Sequence, residues 1–200
     1  MHPLIIRGQL LLIFLLLTLP IQAQAMDARS YIQQITGELE TALKAGKDNG
    51  QLQDRAFLDS VIDRHIIPHV DQEQLSKRIF QPRWDEIVAA GKREQAYQAV
   101  LQSLRRTYRI ALASYNGQTI ELRDSQDKPK YSVVRVYIRT SDDGHLIDFA
   151  LRQVSGQWRV FDLSVDGVVV SKTLNGAIKQ SLQTADLDSL IGAINPSSKP

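Results

Sequence analysis

Cysteine is absent from the 200-residue chain, which excludes disulfides and thiolate metal ligands as supports of the fold. A dominant charge is missing too. Lysine and arginine number 24 against 22 aspartate and glutamate, and only Arg105, Arg106 and Arg109 gather on one element. Nucleic-acid binding usually concentrates positive charge on a face or stripe, so no nucleic-acid partner is expected. Glycine-rich phosphate loops, a Gly-x-Ser-x-Gly elbow, internal repeats and low-complexity linkers are likewise lacking. The one long apolar run lies at the N-terminus, and no later run approaches the about 20 residues that a bilayer span takes.

That N-terminal stretch has the three parts of a secretory signal peptide. Arg7 is the positive region, Leu10 to Leu17 the apolar region, and Ala23-Gln24-Ala25 the small-residue cleavage site. Cleavage after Ala25 is expected, and no cysteine follows to carry a lipid anchor. Without Arg7 the charge is 23 − 22 = +1, and 200 − 25 = 175 residues remain. They suit a single α+β domain over 26–195, with a disordered tail at 196–200. The compartment is an exported one.

The N-terminal half is helical by period. Ile32, Ile35, Leu39 and Leu43 fall at helix spacing, and Phe57, Leu58, Val61, Ile62 and His65 mark a second helix that Pro68 ends. Asp71 is an N-cap for a short helix carrying Leu75 and Ile79, and a further turn holds Trp84 and Ile87. A long helix is predicted from Gly91 to Ser114, with Tyr97, Leu101, Leu104, Tyr108, Ala111, Leu112 and Tyr115 on its stripe. From Gln118 the period becomes two. Strands are predicted at Thr119–Arg123, Lys130–Thr140, His145–Val154 and Gln157–Val165, then helical stretches at Val168–Leu182 and Leu187–Ile194.

One sheet side collects Val134, Val136, Ile138, Ile147, Phe149, Leu151, Phe161, Leu163 and Val165. The other collects Arg135, Tyr137, Arg139, Asp148, Arg152, Trp158, Asp162 and Asp166. A sheet with one apolar face must be covered, so the expected fold is α+β: helices on one face of a twisted antiparallel sheet of about four strands, closed by C-terminal helices.

Catalytic constellations are thin, and the chain reads as no enzyme. His65 and His69 have i, i+4 spacing but lack the glutamate of the zinc-protease motif, and Pro68 breaks the helix between them. An ordinary helix-end pair is the simpler reading. Asp162 and Asp166 share a strand side, yet Asp162, Asp148 and Arg135 can be cross-strand charge pairs. What remains is apolar surface enclosed between helices and sheet. One sequence does not tell a dry core from a cavity.

Several segments resemble the MlaC family, the periplasmic component of the Mla pathway, also called the toluene-tolerance or ABC-transporter auxiliary family. They are Val61-Ile-Asp-Arg-His-Ile-Ile-Pro-His-Val70, Arg106 to Gln118, and Trp158-Arg-Val-Phe-Asp-Leu-Ser-Val-Asp-Gly-Val168 followed by Leu174-Asn175-Gly176. The order matches over essentially the whole chain after residue 25. Ala89 to Glu94 departs from the family's usual "TPEQ"-like cap before the long helix. The resemblance implies a soluble, monomeric periplasmic carrier of glycerophospholipid with no cofactor, no metal and no catalytic residues. Its partners would be an outer-membrane lipoprotein–porin complex and an inner-membrane ABC transporter with its membrane-anchored substrate-binding subunit.

The lipid lining is expected from the apolar sheet side, Val136, Ile147, Phe149, Phe161, Leu163 and Val165. To these are added the facing stripe Leu104, Tyr108, Leu112 and Tyr115, and the corner Val168, Val169, Val170 and Leu174. The alternative is a small α+β enzyme or small-hydrophobe binder with a pocket carboxylate, Asp162 or Asp148.

Overall fold

The computed structural model describes residues 26–140 and 143–195; the expected signal peptide and tail lie outside them. Helix α1 spans Ala28–Asp48, opened by Asp27, whose carboxylate accepts the Ser30 N–H. It buries Ile32, Ile35 and Leu43. Helix α2, Arg55–His65, stops ahead of Pro68, which sits in a 3-10 turn over Ile67–His69. Asp71 caps α3 (Gln72–Phe80), as its position predicts, and α4 (Trp84–Ala89) follows. Helix α5 spans Arg93–Ala113 and begins at Lys92 with no side-chain cap, at the place where the sequence departs from the family pattern.

The sheet is an antiparallel meander in the order β1-β2-β3-β4-β5. Its strands are β1 (Thr119–Lys128), β2 (Tyr131–Arg139), β3 (Gly144–Val154), β4 (Gln157–Val165) and β5 (Val168–Val169). Strand β1 runs five residues past the predicted end at Arg123, through an irregularity between Leu122 and Ser125. Helix α1 lies on β1 and β2, which defines the inner face of the sheet. The fold is α+β, with five strands in place of about four.

Two features depart from the expected alternation. In β4, Asp162 pairs with Ala150 and Val160 with Leu151, so Phe161 is the extra residue of a bulge. A one-residue shift exchanges the faces: Val160 joins the inner side, and Phe161 moves to the outer side beside Tyr131, with ring centroids 5.9 Å apart. The second departure is the predicted helix from Val168. Asp166 (φ 49°) and Gly167 (φ 82°) supply the positive-φ pair that a two-residue type I′ hairpin requires. Val168 therefore pairs with Val165 and Val169 with Ser164 in β5, and α6 starts only at Val170. The two predicted C-terminal stretches are three helices: α6 (Val170–Ala177), α7 (Lys179–Thr184) and α8 (Leu187–Gly192).

Three dry clusters make the core. One joins α3, α4, α5, α7 and α8 through Phe80, Trp84, Val100, Leu182 and Leu190. A second seats Ile32 and Ile35 of α1 on Val134, Val136, Leu151 and Val160 of the sheet. The third binds α1 to α2 through Leu43, Leu52, Leu58 and Val61. Asp162 is 5% exposed and accepts hydrogen bonds from Arg78 Nε (2.7 Å), Ser171 Oγ (2.5 Å) and the Leu163 N–H (3.0 Å). It thereby ties α3, β4 and α6 together, and its partner is Arg78, not the expected Arg135. Arg135 does pair with Asp148, at 2.6 Å.

Candidate functional site: an apolar cavity between the three clusters

Where the clusters meet they do not close. A cavity of about 340 Å³ remains, walled by α1 (Ile35, Thr36, Leu39), the end of α2 and the turn after it (His65, Ile66, His69, Val70), and α5 (Tyr108, Ala111, Leu112). The sheet supplies Ile138, His145, Ile147, Phe149, Val160, Leu163 and Val165. No lysine, arginine, aspartate or glutamate lines it. Such a surface accepts apolar matter by its chemistry alone, since burying apolar area is favourable and burying an unpaired charge is not.

The few polar groups on the wall are mostly engaged. The Thr36 hydroxyl donates to the Ile32 carbonyl at 2.7 Å within α1. His69 Nδ1 lies 2.7 Å from the Tyr31 hydroxyl, and burial holds this imidazole below its ordinary range. Burial likewise pushes the Tyr108 phenol up to about 12, with the Asp162 charge adding to it. His145 Nδ1 meets Asp166 Oδ2 at 2.8 Å, and its side chain is 58% exposed. Among the wall residues Ala111 and His145 are the exposed ones, so the opening lies between α5 and the start of β3. No group of three or more potential metal ligands occurs among the described residues.

A larger hollow of about 540 Å³ opens on the outer sheet face, lined by Arg78, Lys130, Asp148, Arg152 and Asp162 along with Tyr131, Phe161 and Val169. It is charged and broadly open, so an apolar chain gains little there. Both carboxylates weighed for catalysis, Asp148 and Asp162, line this hollow and not the apolar cavity.

Of the residues singled out from the sequence, Tyr108, Leu112, Ile147, Phe149, Leu163 and Val165 come together on the cavity wall. The others lie elsewhere. Leu104 is buried in the helical cluster, and Leu174 packs against that cluster. Val136 belongs to the sheet cluster and Tyr115 packs against the α1–α2 cluster. Phe161 and Val169 face the outer hollow, the first through the bulge and the second through the hairpin register. Val168 is 61% exposed on β5, and Val170 opens α6 away from the wall. The wall residues not foreseen come chiefly from α1 and the Pro68 turn. The Ile32-Ile35-Leu39-Leu43 stripe already marked α1 as apolar; what it faces is not written in its own period.

Comparison with known proteins agrees with this architecture. The family model described as "MlaC protein" matches residues 33–195. The toluene tolerance protein ttg2D of Pseudomonas putida is 26% identical over 189 residues, covering 92% of this chain and 86% of that protein. A phospholipid-binding protein from Ralstonia solanacearum, solved in complex with a phospholipid, superposes with a TM-score of 0.74 at 19% identity. That alignment covers 85% of this chain and 96% of the other. The chain belongs to the MlaC family.

Proposed function

We propose that the protein is a phospholipid carrier that holds acyl chain in the apolar cavity and leaves the headgroup at the mouth. In this reading it works in the periplasm after loss of its signal peptide. It shuttles lipid between an outer-membrane lipoprotein–porin complex and an inner-membrane ABC transporter with its membrane-anchored substrate-binding subunit, and so maintains outer-membrane lipid asymmetry. The phospholipid is cargo, and catalysis has no part in it.

One observation carries the reading: a cavity, open at one side, whose wall has no lysine, arginine, aspartate or glutamate. A methylene is about the size of a water molecule, ~30 Å³, so 340 Å³ holds roughly eleven. At ~0.8 kcal/mol per buried methylene that amounts to about 9 kcal/mol of transfer free energy. The cavity as it stands takes most of one acyl chain; a two-chain lipid requires the clusters around it to part. Family membership and the phospholipid complex of the Ralstonia protein support the same class of ligand.

The test is transfer of a fluorescent phospholipid between donor and acceptor vesicles. Catalytic amounts of the protein are expected to speed exchange well above the spontaneous rate. Exchange at the spontaneous rate would contradict the reading.

A further inference from the structure

The bulge that carries Phe161 to the outer side of the sheet takes no part in the acyl-chain cavity, and the hollow it borders has a chemistry of its own. Arg78 reaches in from α3 and lies over the Phe161 ring, 5.7 Å from its centroid, while Tyr131 meets the same ring edge-on. Arg152 enters from β3. Both arginines are held from behind by buried carboxylates. Arg78 Nε donates to Asp162 Oδ2 at 2.7 Å, and Arg152 Nε donates to Asp71 Oδ2. Their terminal Nη nitrogens make no hydrogen bond among the described residues, and each side chain is 36% exposed.

The acceptors, by contrast, are in use. Asp148 takes Arg135 Nε and Nη2 on its two oxygens. Asp162 takes the Leu163 and Ser171 N–H groups on Oδ1, and the Arg78 and Ser171 side chains on Oδ2. Asp71 takes the Gln74 N–H on Oδ1 and Arg152 on Oδ2. Every one of these carboxylate oxygens already accepts, while two guanidinium edges remain unused. The wall bears three cations, Arg78, Lys130 and Arg152, against two carboxylates, Asp148 and Asp162. Their ion-pair partners Arg135 and Asp71 cancel, as do Arg159 and Glu73 of the adjoining hollow that Arg152 also lines. Residues 141 and 142 join β2 to β3 at the end remote from Lys130 and Arg152. The balance is one positive charge, and the spare hydrogen-bonding capacity is that of donors.

We propose that this hollow binds a phosphate monoester that carries a compact apolar body. Guanidinium forks match the oxygens of a phosphate, and a monoester is close to a dianion at pH 7.5. The exposed Tyr131 ring and the Val133 and Ala150 side chains beside it take the body. The site lies across the sheet from the acyl-chain cavity and does not rest on that reading.

The experiment titrates phenyl phosphate and inorganic phosphate into the purified protein at pH 7.5 and constant ionic strength, followed by amide NMR. Phenyl phosphate is expected to shift the Gln74, Arg78, Val133, Ala150 and Arg152 amides saturably, with a Kd of about 1 mM or tighter. Inorganic phosphate should bind the same amides about fivefold more weakly, for want of the ring contact. Arg78→Lys and Arg152→Lys keep the charge beside Asp162 and Asp71 but lose the fork, and each should weaken phenyl phosphate about tenfold. Lys130→Gln, at an exposed turn position that no fold contact depends on, should weaken it two- to threefold. Arg93→Gln, which removes one exposed positive charge from α5, should match wild type. Shifts that stay linear in concentration, saturable shifts confined to other amides, or an equal loss in Arg93→Gln overturn the inference. So does wild-type affinity in Lys130→Gln together with both arginine variants, once their thermal midpoints show them folded. A parallel titration with phosphatidic acid vesicles separates the two sources of a monoester: displacement of phenyl phosphate from these amides assigns the site to a lipid headgroup, and retention assigns it to a soluble ligand.

Discussion

Replacing Ala111 by tryptophan blocks the cavity without touching the dry clusters. Ala111 is exposed and sits at the mouth, near the end of α5. The change from Ala to Trp costs less than ~0.7 kcal/mol of helix propensity. An indole adds about nine heavy atoms of largely apolar surface. Folded inward, it competes for most of the roughly eleven methylene-sized places in the 340 Å³. At ~0.8 kcal/mol per displaced methylene the upper bound on lost lipid affinity is about 7 kcal/mol. Filling a void stabilises the empty protein by ~0.5–2 kcal/mol. Ala111→Trp should therefore purify with less than about a tenth of the wild-type lipid, as read by solvent extraction and mass spectrometry, and with an equal or higher thermal midpoint. A stable variant carrying wild-type lipid would refute the reasoning, because the acyl chain would then sit elsewhere.

Two further outcomes follow from the buried polar groups. Asp162→Ala strands the Ser171 hydroxyl and one side of Arg78, and should cost about 3 kcal/mol in urea unfolding; a loss below ~0.5 kcal/mol would show that the Asp162 tie between α3, β4 and α6 is dispensable. Because burial lowers the His69 pKa, the unfolded chain binds more protons there than the folded one once pH drops below about 6.5. That contribution to stability is present above this value and is lost on acidification. Thermal midpoints should accordingly fall between pH 7 and 5.5, with a shallower fall in His69→Gln. An identical slope in the variant would contradict the assignment.

The sequence made much of this legible, and the misses have physical causes. Period-two alternation placed Ile147, Phe149, Leu163 and Val165 on one side of the sheet, where they are. It failed at Phe161 because a bulge adds one residue and turns every assignment before it to the other face, which also hid Val160. Asp166-Gly167 is itself a strong hairpin signal, yet three valines after it read as the start of a helix. The stripe on α5 was correct as a stripe, but Leu104 lies in the helical cluster while Tyr108 and Leu112, farther along, border empty space. Periodicity reports direction, and a cavity is a matter of distance between layers. The paired histidines illustrate the same limit: the helix does end before Pro68, and nothing local indicated that both rings would line one cavity.

The account turns on whether acyl chain occupies the cavity in the protein as cells make it. Native mass spectrometry of the protein purified without detergent measures this directly. The account predicts a bound mass equal to about one glycerophospholipid per chain, released on denaturation and absent from Ala111→Trp. A wild-type protein of bare polypeptide mass, folded and free of lipid, would contradict it.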